Sequence, residues 1–224
     1  MLDDELLDHL QRGAFDYFAD QVNPANGLVA DTSRTDSPAS IAVVGFALSV
    51  YPVAVERGWL TRDDAAARTL VTLRFFATSA QGPGADAIGY KGFYYHFLDR
   101  ESGARVWQCE VSPIDTSILF GGVLTASAYF TDANSTEAEI RTLARDLYDR
   151  IDWDWATNGK ATVANGWKPE SGFLHYGWEG YNEAALLYVL GLASPTQCRA
   201  RVLELNPRNR RQVHTSWAAF ILCA

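Results

Sequence analysis

The sequence predicts an all-α fold in which inner and outer helices alternate around a common axis, the arrangement of an α/α toroid. Six helical segments can be recognised before residue 195. Every second segment has no charged residue after its first turn, as expected of a helix that is buried on all sides. The loops that lead into these uncharged segments are long, whereas those that follow them are short, and long loops in a compact domain are usually functional.

The outer helices are expected at residues 2–20, 62–79 and 136–151, where charged residues alternate with apolar ones at helical spacing. Thr61 and Asp64 resemble a capping box at the start of the second of these helices. One face of the third is apolar and consists of Ile140, Leu143, Ala144, Leu147 and Ile151.

The inner helices are expected at residues 38–55, 113–130 and 181–192. Ser37 and Ser112 are each followed by proline, which indicates an N-cap serine with proline at the first helical position. The third inner segment follows a cluster of aromatic and acidic residues. The pattern therefore predicts three buried helices whose N-termini lie at the long loops.

The long loops are expected at about residues 21–37, 80–112 and 152–180. Antiparallel helix hairpins would place all three on one face of the domain. The second loop contains two stretches with the composition of short strands, on either side of Asp99–Gly103. Most of the tryptophans lie in these loops, so the loop face is the predicted functional face.

Composition and charge exclude several functions. The net charge of −8 argues against nucleic acid, which is bound by neutralising its phosphates with lysine and arginine. Three scattered cysteines do not form a disulfide framework or a zinc site. The sequence has no signal peptide and no apolar run of roughly 20 residues that would span a membrane. These features predict a cytoplasmic protein if the start is correct, or a periplasmic one if a signal was lost.

Glu183 is the first candidate for chemistry, because it lies at the start of a buried helix beside Trp178 and Tyr181. Packing among apolar rings would raise the pKa of its carboxyl group, as a general acid requires. The helix dipole would act in the opposite direction. Alternatively, Glu183 and Asn182 form a plain capping arrangement.

Asp115 is the second candidate, although it also has the position of a capping partner for Ser112. Glycosidases use two carboxylates that flank the scissile bond. Asp115, with Glu110 just upstream, could face Glu183 in such an arrangement. We expect Asp115 and Glu183 to be near neighbours.

Aromatic side chains beside carboxylates suit a sugar, because rings stack on its C–H faces and charged acceptors bind its hydroxyl groups. The predicted sugar-binding residues are Glu110, Trp178, Tyr181, Tyr95, Trp107 and Arg34. Each aromatic residue could equally seal the core beneath a long loop. Arg34 could instead hold its loop in place, and His96 and His175 are expected to be structural residues.

Three long stretches carry a resemblance to a known family, and they read SPASIAVVGFALSVYPVAVERGWL, GFYYHFLD…SGARVWQCEVSPIDTSILFGGVLTASAYF and NGWKPESGFLHYGWEGYNEAALLYVLGLASPT. They resemble the bacterial glucoamylase-like family, which includes endo-β-1,2-glucanases, from near residue 5 to about Thr196. The resemblance implies the N-terminal half of an (α/α)6 toroid, with about six helices. It also implies hydrolysis of a β-glucan oligosaccharide or polysaccharide without a metal or an organic cofactor.

The resemblance further implies roles for two carboxylates. Glu183, in the motif Tyr-Asn-Glu-Ala, corresponds to the general acid. Asp115, in Ile-Asp-Thr, corresponds to a second carboxylate of the active site. The family name does not imply activity on α-glucans.

The chain departs from the family after about residue 196. Residues 197–224 carry five arginines and no family motif, which is the pattern expected of a truncation or a frameshift. The resulting division is 1–196, half of a glucoamylase-like domain, and 197–224, an aberrant tail. Such a chain would hydrolyse little and could self-associate through the open half ring. The alternatives are a non-catalytic carbohydrate-binding remnant and a helical scaffold for protein partners.

Overall fold

In the computed structural model, residues 3–180 and 182–196 are described. Seven helices follow one another within them, and the sixth is a single turn inside the third long loop. Their bounds are α1 Asp3–Gln21, α2 Ile41–Glu56, α3 Arg62–Thr78, α4 Pro113–Tyr129, α5 Ser135–Asp149, α6 Trp153–Ala156 and α7 Ala184–Ala193. The expected all-α half toroid is confirmed. No helix in this part of the chain is both long and apolar enough to span a bilayer.

Most of the predicted helix starts are correct. The Thr61 side chain accepts the backbone N–H of Asp64 at the start of α3, and Ser112 accepts the N–H of Asp115 at the start of α4. Pro113 occupies the first turn of α4, where the N–H that it lacks would have no partner within the helix.

The predicted start of α2 is wrong. The helix begins at Ile41 rather than at Pro38, because Ala39–Ser40 pair as a strand with Phe97–Leu98. The Ser37 hydroxyl caps no helix and instead accepts the backbone N–H of Thr32 within the first loop. Tertiary pairing therefore overrides a good local capping signal.

The inner helices α2 and α4 pack directly on each other. Their backbones meet at Gly45 and Gly122, where a Cβ atom on Gly122 would lie 2.0 Å from the carbonyl oxygen of Gly45. Helices can approach this closely only where side chains are absent. Because backbone atoms cannot move aside as a side-chain end can, these two glycines determine the spacing of the inner layer.

The outer helices α3 and α5 also pack on each other. At the end away from the long loops, Arg62 of α3 donates to both carboxylate oxygens of Glu137 on α5, at 2.8 and 2.9 Å. Asp132 donates its backbone N–H to the same carboxylate, and the Arg62 guanidinium lies 4.7 Å from the ring centroid of Tyr129. Glu137 is 2% exposed, so this ion pair is built into the outer layer.

The three long loops are hydrogen-bonded to one another and form one face, as predicted. The first and second loops pair through β1 and β4, and the second and third meet at Val111 and Trp167, whose backbones exchange two hydrogen bonds of 2.8 and 3.0 Å. The short strands are β1 Ala39–Ser40, β2 Gly89–Tyr90, β3 Phe93–Tyr94, β4 Phe97–Leu98, β5 Trp167–Lys168 and β6 Gly172–Phe173. They form three antiparallel pairs, β1–β4, β2–β3 and β5–β6.

Helix α7 packs on α4, but it does not run in the direction that the sequence predicts, with its N-terminus at the long loops. Tyr148, near the end of α5, donates its hydroxyl to the carbonyl of Leu190, at 2.6 Å. Beyond α7, Thr196 donates its hydroxyl to the carbonyl of Ile151, at 2.5 Å. Since α5 ends at the loop face, the C-terminal end of α7 lies beside that face. The prediction that α7 starts there in the manner of α2 and α4 is not confirmed.

Helices α2 and α7 are not buried on all sides, contrary to the simplest interpretation of their composition. Apolar side chains between 37% and 52% exposed lie on both helices: Phe46, Val53, Leu186, Val189 and Leu192. The described residues therefore leave part of the apolar surface of α2 and α7 exposed. The proposed tail, residues 197–224, lies outside those residues.

Candidate active site

A carboxylate cluster forms where the second long loop enters α4. Tyr95 and Val111 pair as antiparallel neighbours, and the backbone N–H of His96 donates to the carbonyl of Glu110, at 3.0 Å. This pairing places the side chains of His96 and Glu110 on adjacent strands within reach of each other. Asp115 follows in the first turn of α4, so all three residues are held by backbone structure.

The geometry of the cluster is compact. His96 Nδ1 lies 3.1 Å from Glu110 Oε1, and His96 Nε2 lies 3.6 Å from Asp115 Oδ1. The Ser112 hydroxyl donates to the other oxygen of Asp115, at 2.5 Å. The side chains of His96, Glu110 and Asp115 are 28%, 24% and 14% exposed, so the cluster is partly shielded but open to a ligand.

The three groups shift one another's pKa values. Burial lowers the pKa of His96, but the hydrogen bond to Glu110 and the nearby carboxylates outweigh burial and raise it overall. The hydrogen bond from His96 lowers the pKa of Glu110. Burial raises the pKa of Asp115, although the His96 charge and the Ser112 hydrogen bond oppose it. The site therefore combines a carboxylate that ionises readily with one that keeps its proton to higher pH.

Replacing His96 by glutamine is expected to lower the free energy of unfolding by about 1 kcal/mol at mildly acidic pH. The raised pKa of His96 contributes stability below its ordinary value of 6.5, which is lost as pH rises through the folded-state value. The lowered pKa of Glu110 contributes stability above its ordinary value of 4.5, which is lost as pH falls. The difference between wild type and variant should therefore be greatest between these two ordinary values and shrink on either side.

Urea unfolding across this pH range measures the difference. His175→Gln is the matched control, because His175 is an exposed histidine in the third loop. A difference for His96→Gln that does not change with pH would contradict the charged pairing.

The cluster has ligand types that could hold a metal ion. One donor atom from each of His96, Glu110 and Asp115 lies within 4.8 Å of the others, a grouping that the described residues show only here. Imidazole and carboxylate together suit several divalent cations. The resemblance implies hydrolysis without a metal, and that implication stays a prediction.

Glu183 does not lie among apolar rings, contrary to expectation. The residue is exposed at the N-cap of α7, and its side chain accepts none of the free N–H groups there. Asn182 takes the local capping role instead, since its side-chain oxygen accepts the N–H of Ala184, at 2.9 Å. The proximity of Glu183 to Asp115 stays a prediction. Tyr181 lies outside the described residues.

The predicted sugar-binding residues have different environments. Trp178 is half-buried and packs against the core, and its backbone N–H donates to the carbonyl of Val163, at 2.8 Å. Tyr95 is 1% exposed with the Arg105 guanidinium 4.4 Å from its ring centroid, so its face is not available for stacking on a sugar. Trp107 is 72% exposed, and Arg34 is exposed in the first loop.

The sequence does not predict His96 as a functional residue, because a histidine in an aromatic strand is typical of a structural position. The sequence feature that could have placed His96 near Glu110 is the predicted pair of strands around Asp99–Gly103. Extra residues at Val106–Gln108 shift the register, however, since both Val106 and Cys109 contact the backbone of Phe97. Without the register, the sequence could not show that His96 faces Glu110.

The sequence is similar to that of a known hydrolase of β-1,2-linked glucooligosaccharides. An exo-β-1,2-glucooligosaccharide sophorohydrolase (non-reducing end) of Parabacteroides distasonis is 28% identical, over 87% of this chain and 27% of that protein. The chain is a homologue of this sophorohydrolase. The resemblance to glucoamylase-like proteins is thereby confirmed. No protein-family model matches the sequence.

Solved structures agree with the homology. A glucoamylase-like protein from Bacteroides uniformis is 29% identical with a TM-score of 0.79, over 88% of this chain and 48% of that one. A β-1,2-glucanase from Parabacteroides distasonis is 26% identical with a TM-score of 0.75, over 88% and 28%. An endo-β-1,2-glucanase from Chitinophaga pinensis shares the fold at 22% identity and a TM-score of 0.77, over 88% and 48%. The chain thus spans about a quarter to a half of the length of these relatives.

Proposed function

We propose that the chain is part of a glycoside hydrolase that acts on a β-1,2-linked glucan. The observation that carries this proposal is the His96–Glu110–Asp115 cluster, which lies at the loop face of a half toroid homologous to a sophorohydrolase. The partly exposed carboxylates are open to a ligand. A cluster with purely structural purpose would be expected to be covered.

The carboxylates divide the chemistry between them. Glycoside hydrolysis needs one group that protonates the leaving oxygen and another that activates water or attacks the sugar. We propose Asp115 and Glu183 as the two catalytic carboxylates of the whole hydrolase, with Glu183 as the general acid, in an arrangement where α7 starts at the loop face in the manner of α2 and α4. Glu110 holds His96 by a charge-assisted hydrogen bond. His96 in turn orients the Asp115 side chain and balances its negative charge. No metal and no organic cofactor is needed for these steps.

The substrate-binding residues complete the proposal. The residues proposed to bind the glucan are Glu110, Trp178, Tyr181, Trp107 and Arg34. Tyr95 is buried and supports the site from the core. Exposed aromatic rings and carboxylates on one face suit a neutral oligosaccharide. The predicted absence of nucleic-acid and membrane partners rests on the charge and on the lack of a long apolar run.

Incubating the chain with β-1,2-, β-1,3- and α-1,4-glucans tests the function. A low rate of reducing-end release from the β-1,2-glucan alone is the expected result, because the chain spans only part of its relatives' length. Glu183→Gln should remove this release while leaving binding intact. Retained release by that variant would exclude Glu183 as the acid. Inactivity on every glucan, without binding, would overturn the proposal in favour of a helical scaffold.

A second candidate is a carbohydrate-binding domain that does not hydrolyse its ligand. The exposed position of Glu183, with no demonstrated contact to the cluster, favours it. Binding of β-1,2-glucan without release of reducing ends would support this candidate and exclude the hydrolase.

We also propose that the chain self-associates through the apolar surfaces of α2 and α7. Phe46 is 52% exposed and Val189 is 40% exposed, and large exposed apolar patches are typical of association sites. Light scattering after size exclusion is expected to show a dimer or larger species. The double variant Phe46→Glu, Val189→Glu should shift the population to monomer. A wild-type monomer at high concentration would contradict the proposal.

A further inference from the structure

Trp107 is held in an unusual conformation that exposes its ring. The residue is 72% exposed, and both it and Gln108 have left-handed backbone conformations, with φ of 55° and 50°. Residues other than glycine rarely adopt this region, and such strain is concentrated at binding and catalytic sites. The surrounding hydrogen bonds maintain it, since Val106 donates to the Phe97 carbonyl and Cys109 donates to that of Val106.

Trp107 forms one side of a cleft between the first and second long loops. The cleft has a volume of about 340 Å³ and is lined by residues 35–38 and 99–101 together with Val106 and Trp107. This cleft, here called the Trp107 cleft, lies outside the carboxylate cluster. Its size is at the lower end of the range seen for small-molecule sites.

The walls of the Trp107 cleft are fixed by hydrogen bonds. On the first loop, the backbone N–H of Asp31 donates to the carbonyl of Pro38, at 2.8 Å. On the second loop, the Asp99 carboxylate accepts the N–H and the hydroxyl of Ser102, and Asn26 donates to the carbonyl of Arg100. A cleft with walls held in this way is preorganised, which lowers the entropic cost of binding.

A row of rings connects the Trp107 cleft to the carboxylate cluster. The Trp107 and Phe97 ring centroids are 5.2 Å apart in an edge contact. Phe97 stacks on His96, with 3.8 Å between centroids and 16° between planes. His96 in turn bonds Glu110, so contacting side chains extend from the cluster to the cleft.

We propose that the Trp107 cleft is a sugar-binding subsite that takes a glucosyl unit of the same chain that is cleaved at the cluster. Trp107 stacks on the C–H face of the sugar ring, and the carboxylates of Asp36 and Glu101 accept its hydroxyl groups. This inference rests on the proposed function. It adds a contact beyond the cleavage site that favours longer oligosaccharides over shorter ones.

Trp107→Gly is the decisive variant, because glycine adopts the left-handed conformation without strain and should leave the thermal unfolding midpoint unchanged or raised. The dissociation constants of β-1,2-glucooligosaccharides of increasing length are measured by calorimetry on the 224-residue chain. Binding of the longest member should weaken by about tenfold, with a smaller loss for the shortest. Trp107→Phe keeps an aromatic face and should restore most of the affinity.

Tyr176→Ala is the matched control, because Tyr176 is also a loop aromatic and is 76% exposed. It should bind every oligosaccharide as the wild type does. Unchanged affinity of Trp107→Gly, or an equal loss in Tyr176→Ala, would overturn the subsite and the binding role of Trp107, while leaving the proposed hydrolysis of a β-1,2-glucan in place. Failure of the wild type to bind or cleave any β-glucan would overturn the proposed function and the subsite with it.

Discussion

Replacing Asp115 by asparagine is expected to lower β-1,2-glucan hydrolysis by about 100-fold or more, the typical effect of removing a group that transfers a proton. Asp115 is half-buried, and this burial raises the pKa of its carboxyl group. One of its oxygens lies 3.6 Å from His96 Nε2. Asparagine keeps the shape and can still accept a hydrogen bond from Ser112. The loss would therefore reflect chemistry rather than packing, and initial rates of reducing-end release measure it.

Asp115 also caps α4, so the experiment needs a variant that removes capping alone. Asp64→Asn provides it, because Asp64 has the same relation to Thr61 at the start of the outer helix α3. Both variants should lose similar stability, within about 1 kcal/mol of each other. If Asp64→Asn lowers hydrolysis as much as Asp115→Asn, or if Asp115→Asn retains full activity, Asp115 is only a capping residue.

Replacing Glu137 by alanine is expected to lower the free energy of unfolding by about 2 kcal/mol, because Arg62 loses two charge-assisted hydrogen bonds and keeps only the exposed carboxylate of Asp132 as an ionic partner. The Glu137 side chain is 3% exposed and that of Arg62 is 30% exposed. The same carboxylate also accepts the backbone N–H of Asp132, which would lose its partner. Urea unfolding followed by circular dichroism measures the change.

Glu139→Ala is the control for this measurement. Glu139 lies on the same helix and is also paired with an α3 arginine, since Arg74 donates to both of its oxygens at 2.7 Å. That pair is exposed to solvent, where ion pairs contribute little. We expect no measurable loss for Glu139→Ala. Equal losses for the two variants would show that burial does not decide the strength of the α3–α5 connection.

The helices of this protein could be predicted from the sequence because their signals are local. Helical spacing of apolar residues identified the outer helices, and the absence of charge identified the inner ones. The capping pairs Ser112–Asp115 and Thr61–Asp64 involve residues three apart, which are neighbours in any helix that starts there. The alternation of long and short loops then predicted a single loop face, which the pairing of β1 with β4 confirms.

The tertiary structure alone decided the start of α2, the direction of α7 and the composition of the candidate site. Ser40 rather than Ser37 precedes α2, because β1 pairs with a strand more than 50 residues away. His96 meets Glu110 only through a strand register that the left-handed residues Trp107 and Gln108 shift. A local sequence pattern determines hydrogen bonds between residues that are close together in the chain. Register and helix direction depend on contacts between distant segments, whose free energies appear only when the whole domain is packed.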